Sequence, residues 1–120
     1  MPDYPRRRLP QSHLPLSVPV FQILLSLSDR ELHGYAVIQD IQARTAGEVS
    51  LTASTLYAAI KRLLDAGLID ELDERPDDDD SRRRYYRILP AGLDVVRLEA
   101  GRLERAVRMA RQKRLTPRKA

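Results

Sequence analysis

Between Ser50 and Asp70 the chain reads SLTASTLYAAIKRLLDAGLID, and the apolar residues of this stretch fall into register only as a helix. Leu56, Ile60, Leu63 and Leu64 recur at i, i+4, i+7 and i+8, making one face that must pack on a core. Thr52 is placed to cap the N-terminus, and Gly67 to end the helix in a left-handed conformation before the apolar pair Leu68 and Ile69. The opposite face carries Ser54 and Thr55 at its tip, then Tyr57, Lys61 and Arg62. Small hydroxyl donors backed by cations suit a helix, expected over Ala53 to Ala66, whose N-terminus enters a DNA major groove between two rows of phosphate. Taken alone, the same residues also fit a cap and the solvated face of an ordinary surface helix.

The segments around this helix decide how to read it. From Leu16 the sequence LSVPVFQILLSLSD gives a broad apolar face through Val20, Phe21, Leu24, Leu25 and Leu27, a buried first helix. His33 leads into GYAVIQDIQART, where Val37, Ile38 and Ile41 share one side and Thr45-Ala46-Gly47 supplies a turn. Two helices joined by a turn, the second with a polar tip, make a helix-turn-helix. After Gly67, Leu68 to Glu74 and Arg83 to Leu89 read as two antiparallel strands around a polar loop, a β-hairpin wing. Arg82, Arg83, Arg84 and Tyr85 then lie at the start of the returning strand, where cations can reach phosphates beside the helix. Tyr86 is expected inward, with Ile88. The last segment places Leu93, Val96, Ala100, Leu103, Val107 and Ala110 at steps of 3, 4, 3, 4 and 3, a heptad seam along one helix. Nothing else in the chain covers that seam, so a second copy is its natural partner and a twofold homodimer the expected assembly, with the first helix assisting.

These short runs, in this order, also resemble a known family. His33-Gly34-Tyr35, then Thr55-Leu56-Tyr57 with Lys61-Arg62-Leu63, then Gly67-Leu68-Ile69, Arg84-Tyr85-Tyr86-Arg87 and Pro90-Ala91-Gly92 are similar to the PadR family of bacterial transcriptional regulators, over roughly Leu16 to Leu103. Two positions depart from the pattern. Ala58 stands where a proline often follows the tyrosine, and Leu89 stands where a threonine often precedes Pro-Ala-Gly, removing a hydroxyl cap from the last helix. The resemblance implies repression of nearby transcription by a homodimer on a palindromic operator, and it matches the smaller class with a single C-terminal helix. It also implies a small-molecule effector between the dimer helices. With no Trp to stack a planar ligand, an aliphatic effector or none is expected over a flat aromatic one.

The fold class that follows is mainly α with a small β-hairpin: a winged helix-turn-helix over 16–90 and a long dimerisation helix over 91–113. A flexible, basic, Pro-rich arm over 1–15 precedes them and a basic tail over 114–120 follows. Arg6, Arg7 and Arg8 of the arm fit either a phosphate or minor-groove contact or a solvated leader. The formal net charge of +4 points to an anionic partner, here double-stranded DNA. There are no cysteines, so disulfides, thiolate metal sites and cysteine nucleophiles are excluded. His13 and His33 are far apart in sequence, and no nucleophile-base order or phosphate-cradling glycine loop occurs, so neither an enzyme nor a cofactor is expected. Asp77 to Asp80 lacks the spacing and glycine of a calcium loop and reads as a solvated charge run that offsets the adjacent arginines. No segment has the length and apolarity of a membrane span, and a cytoplasmic protein is expected. The alternative function is a winged-helix module that meets an acidic partner protein without operator specificity.

Overall fold

The computed structural model describes residues 9–72 and 83–117. A 3-10 turn at Pro10–His13 precedes α1 (Val18–Leu27), β1 (Leu32–His33), α2 (Gly34–Arg44), α3 (Ala53–Asp65), β2 (Ile69–Leu72), β3 (Tyr85–Ile88) and α4 (Pro90–Gln112). Helix starts follow local chemistry. The Ser17 hydroxyl accepts from the Val20 N–H, His33 Nδ1 from the Ala36 N–H and the Thr52 hydroxyl from the Thr55 N–H. Each satisfies a donor that the first turn leaves open. Leu89 supplies no side-chain cap to α4, as its apolar side chain dictates, and Pro90 sets the first helical φ in its place.

Gly67 ends α3 at φ +73°. Its N–H donates to the Leu64 carbonyl at 3.1 Å while the Leu68 N–H donates to the Leu63 carbonyl at 3.0 Å, the paired bonds of a Schellman motif. The chain is thereby turned directly into β2. Leu56, Ala59, Ile60 and Leu63 of α3 meet Ile23, Leu24 and Leu27 of α1 and Val37 and Ile41 of α2, and Leu68, Ile69, Tyr86, Val95 and Val96 close the core. Burying each large aliphatic side chain contributes about 1.5–3 kcal/mol. Between α1 and α2 the Arg44 guanidinium bridges the Asp40 carboxylate, the Gln22 side chain and carbonyl, and the Ser26 hydroxyl, fixing the two helices in one relative orientation.

The hairpin expected from the sequence is present, with Ile69 opposite Ile88 and Leu72 opposite Tyr85. A third strand adds to it. Leu32 and His33 pair antiparallel with Tyr86 and Tyr85, so the order is β1-β3-β2 and β3 is central. Two residues carry no periodicity, and in the sequence they read only as an approach to the second helix. The N-terminal segment also differs from a flexible arm over its described part. From Pro10 the chain packs along α4, with Leu14 and Leu16 against the core.

That packing centres on a carboxylate. Glu99 of α4 is 1% exposed. It accepts the Leu16 N–H at 2.8 Å and pairs in a fork with Arg102, whose second nitrogen stands 3.0 Å from Oε2. Arg102, and then the Leu16 N–H, hold the Glu99 carboxyl below the usual carboxylate range, against the opposing effect of burial. The folded value is lower than that of the unfolded chain, near 4.3, so the unfolded state binds more protons in this window. The contribution is therefore complete above about pH 4.3 and is lost as pH falls through the folded value. Asp40 shares the window: burial works against its charge, but Arg44, Ser26 and Arg30 outweigh it and hold that carboxyl low as well. Comparing Glu99→Gln with wild type isolates the first group. Thermal midpoints should be lower for Glu99→Gln at neutral pH, and the gap to wild type should shrink as pH falls below about 4.3 and through the folded value; a gap of constant size across that range would assign the acid dependence elsewhere.

Candidate nucleic-acid interface

The exposed face of α3 begins at its cap. Thr52 Oγ1 accepts the Thr55 N–H at 3.2 Å and lies 3.0 Å from Thr55 Oγ1, with Ser54 Oγ at 3.4 Å. The three hydroxyls thus form one exposed cluster at the tip. Thr52 is occupied by the cap, leaving the Thr55 hydroxyl proton and Ser54 to meet an incoming acceptor. Ala58, Lys61 and Arg62 follow along the same exposed side, directly opposite the buried Leu56, Ala59, Ile60 and Leu63. With no side chain beyond a methyl at Ala58, the middle of this face can approach another surface closely.

Tyr57 stands between this face and the start of α2. It is 49% exposed, and its hydroxyl lies over Gly34: a Cβ built there would come within 2.4 Å of the Tyr57 oxygen. Glycine at 34 is what allows the ring to cross the first turn of α2. His33, Gly34, Tyr35, Tyr57, Arg83, Arg84 and Tyr86 line a half-open cleft of about 380 Å³ between α2, α3 and β3. The wing thus comes beside α3, as the sequence implies.

Within the wing the residues separate. Arg83 and Arg84 are exposed, and the Arg84 guanidinium reaches Glu71 of β2 at 3.5 Å. Tyr85 is half-buried and meets the His33 ring edge to face, centroids 5.3 Å apart at 86°, so its ring braces β1 against β3. Tyr86 is buried, as its alternation with Ile88 predicts, and burial followed by the Glu71 carboxylate pushes its hydroxyl up to about 12. It stays a neutral donor at any physiological pH. Arg82 lies outside the described residues, as do Asp77 to Asp80 and Arg6 to Arg8. Among the described residues no group of His, Asp and Glu side chains is arranged to hold a metal ion, and no helix is long and apolar enough to cross a membrane.

The sequence reading missed Tyr35, 62% exposed at the mouth of the cleft, and the crossing of Tyr57 over Gly34. A large aromatic off the apolar side of its helix was the available signal.

The heptad seam divides in two. Leu93 is half-buried and Val96 is 5% exposed because the first turns of α4 pack on α1 of the same chain, so Val96 belongs to the protomer's own core. Farther along, Ala100 is exposed, as are Leu103 at 36% and Val107 at 44%; Ala110 is half-buried, and Leu98 and Met109 add exposed apolar surface.

Comparison with known proteins agrees with this geometry. A model of the transcriptional regulator PadR-like family matches residues 23–98. No curated protein matches the sequence. Among solved structures, a transcriptional regulator from Clostridium thermocellum is 26% identical, with a TM-score of 0.66 over 79% of this chain and 90% of that one. A PadR family transcription regulator from Clostridium difficile R20291 is 23% identical, with a TM-score of 0.69 over 80% of this chain and 97% of that one. Bacillus subtilis PadR in complex with operator DNA is 23% identical, with a TM-score of 0.60 over 69% of this chain and 46% of that one.

Proposed function

Because the family match spans residues 23–98, the chain belongs to the PadR-like family of transcriptional regulators, and we propose that it acts as a homodimeric repressor on a palindromic operator. Each protomer presents α3 to a major groove, with Thr52, Ser54, Thr55, Tyr57, Lys61 and Arg62 facing the DNA and Arg83 and Arg84 meeting the flanking backbone. The observation that carries this reading is the two-sided build of α3. Its apolar side is spent on the core, its other side is exposed and free of large apolar groups except Tyr57, and the cationic start of β3 stands beside it. The operator complex of Bacillus subtilis PadR supports DNA as the partner.

Leu103 and Val107 support the dimer, since they are spaced one helical turn apart and left uncovered by the protomer. A twofold pair of α3 helices would read half-sites about one DNA turn apart. A small-molecule effector would sit between the paired α4 helices, where Leu103 and Val107 present exposed aliphatic side chains. The protein acts in the cytoplasm, where its operator is.

DNA affinities of the Tyr57→Ala and Lys61→Ala proteins test the assignment of α3. Lys61→Ala should weaken binding to every duplex and lower the salt slope by about one. Tyr57→Ala should cost about tenfold on an operator and less on random duplex. Unchanged affinity in both variants would remove α3 from the interface and favour the protein-interaction module.

A further inference from the structure

We propose that the cleft bounded by Tyr35, Tyr57 and Arg84 holds one phosphate of the DNA backbone at the edge of the groove that α3 enters. The inference rests on the DNA-binding reading above and adds the seat of one particular phosphate and a residue, Tyr35, that the helix-and-wing description does not include.

Three observations carry it. The cleft is half-open and opens beside the exposed face of α3, so a strand flanking the groove would run across its mouth. Its rim bears two tyrosines, 62% and 49% exposed, whose hydroxyls make no hydrogen bond among the described residues. Its lining includes Arg83 and Arg84 and, among the described residues, no carboxylate. Hydroxyl donors beside a guanidinium fork make a site for a tetrahedral anion, and the openness of the cleft suits a phosphate carried on a chain better than a small molecule that must be enclosed. Gly34 sets the geometry, since any side chain there would displace the Tyr57 hydroxyl from the rim. Among the described residues the carboxylate that reaches Arg84 is Glu71 of β2, at 3.5 Å on an exposed surface. Such a pair is weak, and its long separation leaves the guanidinium ready to exchange partners.

The test replaces single phosphates of a bound duplex by neutral methylphosphonate, one position at a time, and measures affinity with wild type, Tyr35→Phe and Arg84→Ala, all confirmed folded by circular dichroism. Wild type should show a position beside each half-site where neutralisation weakens binding about tenfold. In Tyr35→Phe and Arg84→Ala that position should become silent while the others keep their effect, and the salt slope of Arg84→Ala should fall by about one. Glu71→Gln, which releases Arg84, should tighten binding severalfold on operator and random duplex alike. Losses that simply multiply between the methylphosphonate and the side-chain changes would overturn the proposal while leaving DNA binding intact. Failure of wild type to bind any duplex would instead overturn the functional reading and this inference with it.

Discussion

Gly92→Ala is expected to destabilise the protein by about 3 kcal/mol, measured by denaturant unfolding, with its helix propensity pointing the opposite way. Alanine is the better helix former by about 1 kcal/mol, so propensity alone predicts a gain. Packing decides otherwise. A Cβ at position 92 would come within 2.2 Å of the Leu68 carbonyl oxygen and 2.8 Å of Ile88 Cγ1. The oxygen belongs to the backbone between α3 and β2, and it accepts the Leu89 N–H at 3.0 Å. Relief would have to move the start of α4 away from β2, breaking that bond and opening the core at Val95 and Val96. A cost below about 1 kcal/mol would mean that α4 can slide without disturbing the wing, contrary to the packing described.

The second large effect is on assembly. Leu103→Asp combined with Val107→Asp should give a folded monomer, because both side chains are already exposed in the protomer and only a partner would bury them. Paired carboxylates facing their symmetry mates cannot be desolvated without neutralisation. Sedimentation velocity should show the monomer mass, and affinity for a two-half-site duplex should fall at least about 100-fold with the loss of linked binding. A dimer that survives this change would place the interface elsewhere. Loss of the folded circular dichroism spectrum would show that these positions serve the protomer's own core.

Both predictions depend on features of unequal visibility in the sequence. The cap Thr52 and the left-handed Gly67 are single-residue chemistry, and their positions locate the start and the end of α3. The apolar face of α3 follows from its spacing alone. The last helix, expected from 91, starts at Pro90 without a side-chain cap, because proline's fixed φ suits the first turn. What stayed hidden depends on long-range contact. The strand at Leu32–His33 exists because β3 pairs with it. Glu99 reads as a surface charge, yet the chain from Pro10 to Leu16 folds over it and buries it. Val96 continues a heptad by spacing, but α1 reaches it first. The candidate interface divides the same way. Ser54, Thr55, Lys61 and Arg62 are exposed as their helical spacing requires, whereas the turn of Tyr85 toward His33 and the cleft at Tyr35 arise only when α2, α3 and β3 are brought together.

The most direct test of the central claim, that α3 reads DNA from a twofold dimer, is selection of random duplexes by the full-length protein, with the bound sequences identified by sequencing. An inverted repeat whose half-sites lie about one DNA turn apart should be enriched, and the enrichment reduced or lost with Tyr57→Ala. Uniform, salt-sensitive binding to all duplexes, with no enriched repeat, would contradict it.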